Sequence, residues 1–156
     1  MRARLLSSQS EIDAIISKCQ VCYVGMTGKE GMPYVVPFNF GYKDGVIYLH
    51  SSAKGMKIDI LKENPNVCIV FSTDHMLHHQ SEEVACSYSM HYRSVQAFGK
   101  VEFIVEPEEK TEILNIIMSN YADRQFTYNL PALREVCTYK VKVSRFSGKI
   151  FGYRDK

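Results

Sequence analysis

Residues 32–71 read MPYVVPFNFGYKDGVIYLHSSAKGMKIDILKENPNVCIVF, and the pattern changes three times within them. The first third is apolar, aromatic and β-branched, which suits a strand. Pro33 and Pro37 cannot donate to a ladder, so one edge of that strand is expected to be locally free of pairing. Asp44-Gly45 is a preferred tight-turn pair, and VIYLHS reads as the returning strand of a hairpin. Met56, Ile60 and Leu61, with Ile58 nearby, then follow helical spacing until Pro65 stops the helix. NVCIVFST resumes as a strand.

Working outward, SSQSEIDAIISKC has the spacing of a short amphipathic helix, with Ser8 or Ser10 as cap and Ile12, Ile15 and Ile16 on its apolar side. QVCYVGMT reads as a strand and GKEG (28–31) as a turn. Toward the C-terminus, DHMLHHQSEEVACSYSM reads as loop with parts of a strand. YRSVQAFGKVEFIV is a long strand with a bend expected at Gly99. EPEEKTEILNIIMSNYA is the clearest helix: Pro107 and acidic residues mark its start, and Leu114, Ile117, Met118 and Tyr121 its apolar stripe. VCTYKVKVSRFSGKIFG is a late strand with an edge-like polar face. Strands outnumber helices, their separations are too uneven for regular β-α units, and no Gly-rich fingerprint follows the first strand. The fold expected is mainly β: six or seven strands in a barrel with short helices at its ends.

The 156 residues favour one domain over 1–156. Hydrophobic residues at 46% and charged residues at 23% exclude the disordered class. Lys plus Arg is 19 against 17 Asp plus Glu, too even a balance for a nucleic-acid partner to be expected. No apolar run approaches a membrane span and no signal peptide opens the sequence, so no membrane association is expected. Five scattered cysteines make a poor disulfide framework; together these features point to the cytoplasm. Cys19 and Cys22 form a C-x-x-C, but a strand follows the pair rather than a helix, which favours two buried thiols over a redox or zinc site.

The joint YLHSSAKGMK (48–57) is where chemistry is expected. A helix start offers unpaired N–H groups and a favourable dipole to a phosphate. Ser51, Ser52 and Ala53 are small, Gly55 removes another side chain, and Lys54 and Lys57 supply mobile charge. A capped helix with two solvated lysines is the competing reading. Pro37-Phe38-Asn39 lies where pairing fails, and its free backbone groups could meet either a ligand ring or solvent. On the strand at 92–104, Ser94 and Gln96 share one face while Arg93 points the other way, with a planar fork suited to phosphate or carboxylate; a solvated sheet face would look the same.

Together PYVVP followed by FGYKDG, YLHSSAKGMK followed by NPNVC, and YRSVQAFGK resemble the flavin-binding split-barrel family related to pyridoxamine 5′-phosphate oxidase. The resemblance is greatest to the branch of 5-nitroimidazole resistance proteins, over about residues 1–150. It implies a split barrel, FMN as cofactor, and a homodimer with two flavin sites at the subunit interface. Carried over, Val36, Pro37, Phe38 and Asn39 would line the flavin ring, largely through backbone. Leu49, His50, Ser51, Ser52, Lys54 and Gly55 would wrap the ribityl phosphate end, with Lys57 on the phosphate. Arg93, Ser94, Val95 and Gln96 would complete the site. His50 is the candidate catalytic residue, as proton donor to a substrate that has received a hydride; a lining role is its alternative.

The function implied is an FMN-dependent oxidoreductase that reduces a small electron-poor acceptor, such as a nitro-aromatic compound, with NADH or NADPH as transient donor. The alternatives are a non-catalytic flavin- or haem-binding protein and a dimeric scaffold without cofactor. SGKIFGYRDK lacks the Arg-rich segment of the vitamin B6 oxidase, so pyridoxamine phosphate is not the substrate expected. His75, His78 and His79 could ligate a metal only from a helix with further ligands; no metal is expected. YADRQFTYNLPALREV could form a lid or pack through Tyr121, Phe126, Tyr128 and Leu133.

Overall fold

The computed structural model describes residues 3–153. Its strands are β1 Ala3–Leu5, β2 Cys22–Thr27, β3 Pro33–Phe38, β4 Phe40–Lys43, β5 Val46–Ser52, β6 Asn66–His78, β7 Ser89–Ile104 and β8 Val136–Phe151. The helices are α1 Gln9–Ile16, α2 Met56–Glu63, α3 Pro107–Met118 and α4 Leu130–Glu135. All pairs are antiparallel, in the order β3-β2-β6-β7-β8-β5-β4, with β1 added on β8.

The two end strands of that order, β3 and β4, follow each other in the chain. Phe38 pairs with Cys22 on one side, and Phe40 pairs with Leu49 on the other. The sheet therefore curls round until only Asn39 joins its two edges, and covalent chain stands where a closed barrel would have a hydrogen-bonded ladder. The architecture is a split barrel. The residues expected to form one strand over 32–42 are divided at Asn39, and with β1 the described strands number eight rather than six or seven. The Asp44-Gly45 turn forms as expected, with both φ angles positive, at 51° and 77°. Its hairpin joins β4 to β5, whereas β3 pairs with β2.

The core fills the barrel. Ile47 and Leu49 from β5, Ile69 and Phe71 from β6, Val95 and Ala97 from β7, and Tyr139 and Val141 from β8 are fully buried. α1 closes one end with Ile12, Ile15 and Ile16; Ser8 caps it, its hydroxyl accepting the Glu11 N–H at 3.3 Å. α2 contributes Ile58, Ile60 and Leu61 but has no side-chain cap. Each such residue contributes roughly 1.5–3 kcal/mol on burial, against about 1 kcal/mol for a cap, so packing holds α2 in place. α3 lies outside the barrel over β4, β5 and β8, and its Ile113 and Ile117 meet Ile104 and Tyr48. Its buried stripe is Lys110, Ile113, Leu114 and Ile117; Met118 is half-buried and Tyr121 lies beyond the helix.

β8 is not an edge strand. It pairs with β7 on one side and with β5 and β1 on the other. Its most misleading polar residue, Lys140, meets charged neighbours instead of solvent: it reaches Glu109 at 2.9 Å and Glu102 at 3.4 Å. Gly99 marks an irregularity, with the extra residue on β8 at Ser144.

Beyond Asp74, β6 and β7 leave the barrel as a two-stranded ribbon in which Met76, Leu77 and His78 pair with His91, Met90 and Ser89. On the barrel half that α3 does not cover, outward side chains form a grid. One row runs Pro37, Tyr23, Val70, Gln96, Ser147; the next runs Val35, Gly25, Cys68, Phe98, Arg145. Tyr23 and Val35 stay 49% and 61% exposed there.

Candidate functional site

β5 carries its side chains to alternate faces, and this sorts the residues of the joint. Leu49 is fully buried inside the barrel, opposite Tyr139; only its backbone remains for a ligand. His50 points the other way, in one row with Thr138 and Ile104, under α3. Its Nδ1 is buried without a hydrogen-bond partner, as is the neighbouring Thr138 hydroxyl. Burial holds the imidazole below its ordinary pKa of 6.5, so the ring is neutral at pH 7.

Past β5 the chain opens. The Ser51 hydroxyl donates to the Ser52 carbonyl at 2.9 Å, and the Ser52 hydroxyl to the Lys54 carbonyl at 3.0 Å. Gly55 adopts φ 114°, ψ 168° and has no heavy atom within 4 Å of where a Cβ would stand. That backbone suits glycine alone and leaves clear approach to the main chain. The first helical bonds run from Ile58 and Asp59 to the Gly55 carbonyl, so the N–H groups of Met56 and Lys57 have no acceptor in the helix. Small residues, free amides and two lysines make a donor set that fits a phosphate.

The joint meets the seam of the barrel. Lys57 Nζ lies 5.5 Å from the centre of the Phe38 ring, and that ring stands edge-on to Tyr139 at 6.1 Å. Val36 and Pro37 adjoin it on β3, which is paired along one side only, and Asn39 follows at the seam. The structure thus brings the 36–39 strip together with Lys57. Met56 turns instead into a groove of about 730 Å³ lined by Met32, Tyr34 and Ile60.

The residues expected on β7 do not reach this place within one chain. Val95 is fully buried. Ser94 and Gln96 face outward, and Gln96 is three strand spacings from Pro37 in the same row, about 14 Å at ~4.8 Å each. Arg93 turns toward Asp74, which it contacts through Nη1, and its guanidinium lies 4.0 Å from the centre of the Tyr153 ring. Lys18 also donates to Asp74 at 3.0 Å, and the Tyr153 hydroxyl to the Asp74 carbonyl at 2.6 Å.

Sequence reading missed Asp74, which sits at a β6 irregularity with φ 55°, and the buried hydroxyls of Thr138 and Tyr139. Nothing in the local pattern marks Asp74; Thr138 and Tyr139 read only as strand residues. The C-x-x-C thiols are free and buried, and burial pushes Cys22 up to about 12. The histidines at 75–79 lie on and beside the ribbon. His78 stacks on His91 at 4.7 Å and His79 lies 4.7 Å from Tyr88; among the described residues no group of three ligands could hold a metal. Segment 121–136 is anchored at two points, where Asn115 binds both the N–H and the carbonyl of Phe126 and where Leu133 is buried, and is otherwise exposed or half-buried. Of the SGKIFGYRDK segment, residues 154–156 lie outside the described residues.

A family model described as pyridoxamine 5′-phosphate oxidase matches residues 8–150. Among solved structures, a candidate 5-nitroimidazole antibiotic resistance protein from Bacteroides thetaiotaomicron is 46% identical, with a TM-score of 0.87 over 96% of this chain and 87% of that one. The FAD- and haem-binding protein from Mycobacterium smegmatis is 19% identical, with a TM-score of 0.80 over 97% of this chain and 76% of that one. A FAD-binding protein from Mesorhizobium loti is 24% identical, with a TM-score of 0.68 over 96% and 98%. At these two lower identities the likeness shows the fold. No curated protein matches the chain.

Proposed function

The chain belongs to the pyridoxamine 5′-phosphate oxidase family, on the branch that resembles 5-nitroimidazole resistance proteins, and from that premise we propose that it is an FMN-dependent oxidoreductase reducing a small electron-poor acceptor such as a nitro-aromatic compound. The observation that carries this reading is the meeting of the open joint with the barrel seam, through Lys57 and Phe38. Lys57, Lys54 and the free amides of the α2 first turn would hold the phosphate. The one-sided backbone of Val36 to Asn39 would offer donors and acceptors to the edge of the ring system.

A bound flavin supplies the hydride and electron transfer itself, and the protein binds and orients it. His50, mostly neutral at pH 7, would serve as proton source through its protonated form, which burial makes the stronger acid. NADH or NADPH would bind only in passing, since no nicotinamide fingerprint is present in the sequence. Gln96 and Ser94 stand too far from the joint to act within one chain, which supports a homodimer with flavin at the subunit interface. Exposed Tyr23 and Val35 on the same face support the same assembly. The five free thiols suit a cytoplasmic setting, and no helix among the described residues is long and apolar enough to cross a membrane.

The test is the absorbance spectrum of the purified protein, followed by anaerobic mixing with NADH and with NADPH. A flavin spectrum that bleaches with a donor and returns on adding a nitro-aromatic acceptor is expected. A protein that stays colourless and takes up no FMN on titration overturns the reading. Flavin or haem absorbance that neither donor alters favours the non-catalytic binding protein instead.

A further inference from the structure

Tyr139 is the largest of the fully buried side chains. Its hydroxyl is buried with it and has no hydrogen-bond partner among the described residues. A buried hydroxyl without a partner costs free energy, and a phenylalanine of the same shape would avoid that cost. Packing alone therefore does not account for the oxygen.

Strand register sets that oxygen beneath the joint. Leu49 pairs with Tyr139 and Ser51 with Cys137, and alternation places all four on the inner face of the barrel. Ser51 and Tyr139 are thus diagonal neighbours, a spacing that an aromatic side chain can bridge. Phe38 stands edge-on to the Tyr139 ring at 6.1 Å, and Lys57 Nζ lies 5.5 Å from the centre of the Phe38 ring. Burial pushes the Tyr139 phenol up, and the Ser51 hydroxyl opposes that push from nearby without being hydrogen-bonded to it. The thiols of Cys137 and Cys22 are the other groups that act on the phenol. Thiols are weak acceptors, so the Ser51 oxygen is the best partner within reach. The Ser51 proton itself goes to the Ser52 carbonyl at 2.9 Å.

We propose that Tyr139 is a positioning residue for a phosphate monoester at the joint, acting through Ser51. When the anion settles there, the Ser51 hydroxyl turns its proton from the Ser52 carbonyl to a phosphate oxygen. The Tyr139 hydroxyl then donates to the Ser51 oxygen. Both hydroxyls keep their protons, and the two bonds run in one direction toward the negative charge. Donation from Tyr139 polarises the Ser51 O–H and strengthens the bond that it makes to the anion. A hydroxyl left unsatisfied in the free protein is satisfied in the loaded one, so ligand binding recovers what folding leaves unmet. The inference rests on the flavin reading above, and adds the core residue that holds Ser51 from within the barrel.

The test titrates the full-length apo-protein with FMN and with riboflavin, which shares the ring system but lacks the phosphate. The wild type is compared with Tyr139→Phe, Ser51→Ala and the double variant. Tyr139→Phe is expected to bind FMN about three- to tenfold more weakly, the loss of one neutral hydrogen bond, and riboflavin as well as the wild type does. Its urea midpoint without ligand should be equal or higher, since the variant removes an unpartnered oxygen and keeps the ring. The double variant should bind FMN no more weakly than Ser51→Ala, because the two side chains act in series. A wild type that takes up no FMN overturns the flavin reading and this inference together. If the wild type binds FMN, three results overturn the inference alone. They are an unchanged FMN affinity in either single variant, an equal loss of riboflavin affinity in Tyr139→Phe, and losses that add in the double variant.

Discussion

The hydroxyl of Tyr121 accepts a hydrogen bond from the backbone N–H of Phe40 at 3.0 Å and donates to the Gln20 carbonyl at 2.7 Å. Asn120 adds two longer bonds, to the carbonyls of Cys19 and Phe40, both at 3.4 Å. Phe40 opens β4 at the seam, where no neighbouring strand serves the chain break. Two consecutive side chains beyond α3 thus satisfy backbone groups that the split leaves over. Tyr121→Phe keeps the ring and removes the oxygen. It is expected to destabilise the protein by about 1–3 kcal/mol, seen as a lower urea midpoint at unchanged slope. An unchanged midpoint would mean that the seam needs no latch.

Gly55 and Lys57 separate shape from charge at the joint. Gly55→Ala meets no neighbour, yet its φ of 114° is strained for alanine, at about 1–3 kcal/mol. Lys57→Gln leaves the backbone alone and removes one cation. On the flavin reading, loss of one charge-assisted bond of ~1.5–3 kcal/mol weakens FMN binding roughly ten- to a hundredfold, with the unfolding midpoint little changed. Titration of the apo-protein with FMN, alongside thermal unfolding, checks both. Unaltered FMN affinity in Lys57→Gln would take the phosphate away from the joint.

The elements were legible where local pattern decides them. QVCYVGMT read as the strand that became β2, the Asp44-Gly45 pair marked its turn and with it β5, the period-two placing of Ser94 and Gln96 fitted β7, and Pro37 marked the unpaired edge. What local pattern cannot carry is pairing between distant segments. VCTYKVKV looked like an edge because alternate residues are polar, but Lys140 is polar to meet Glu102 and Glu109, which are far away in sequence. The joint was legible because glycine, small residues and lysines are each needed there for a physical reason. Arg93 was legible as a planar cation but not as Asp74's partner, since that contact depends on a β6 irregularity that no residue type announces. The orientation of His50 toward α3 follows from strand register, which sequence alone leaves open.

Asp74 should show in acid. Burial alone would raise its carboxyl, but hydrogen bonds from Lys18 and Arg93 outweigh burial and hold it below the ordinary 3.8. A carboxylate with a lowered folded pKa stabilises the protein above the unfolded value, and that stability is lost as pH falls through the folded one. The wild type is therefore expected to lose stability progressively below about pH 4. Asp74→Asn, less stable at pH 6, should lose less over the same range. Thermal melts between about pH 6 and 2 measure the difference; parallel curves would mean that Asp74 titrates as an ordinary surface carboxylate.

His50 titrates in a higher window, with the direction set by burial. The folded protein holds the imidazole neutral and below 6.5, whereas the unfolded chain protonates near that value. Stability is then full above about pH 7 and falls as pH drops from ~6.5 toward the folded pKa, because the unfolded state binds the extra proton. His50→Gln removes the titration, so its unfolding free energy should vary less between about pH 7 and 5 than that of the wild type. The same variant tests the proposed chemistry. With flavin content unchanged, slower reduction of a nitro-aromatic acceptor is expected if the ring supplies the proton. Normal turnover at normal flavin content would leave His50 as a half-buried strand residue whose neutrality serves packing under α3 alone.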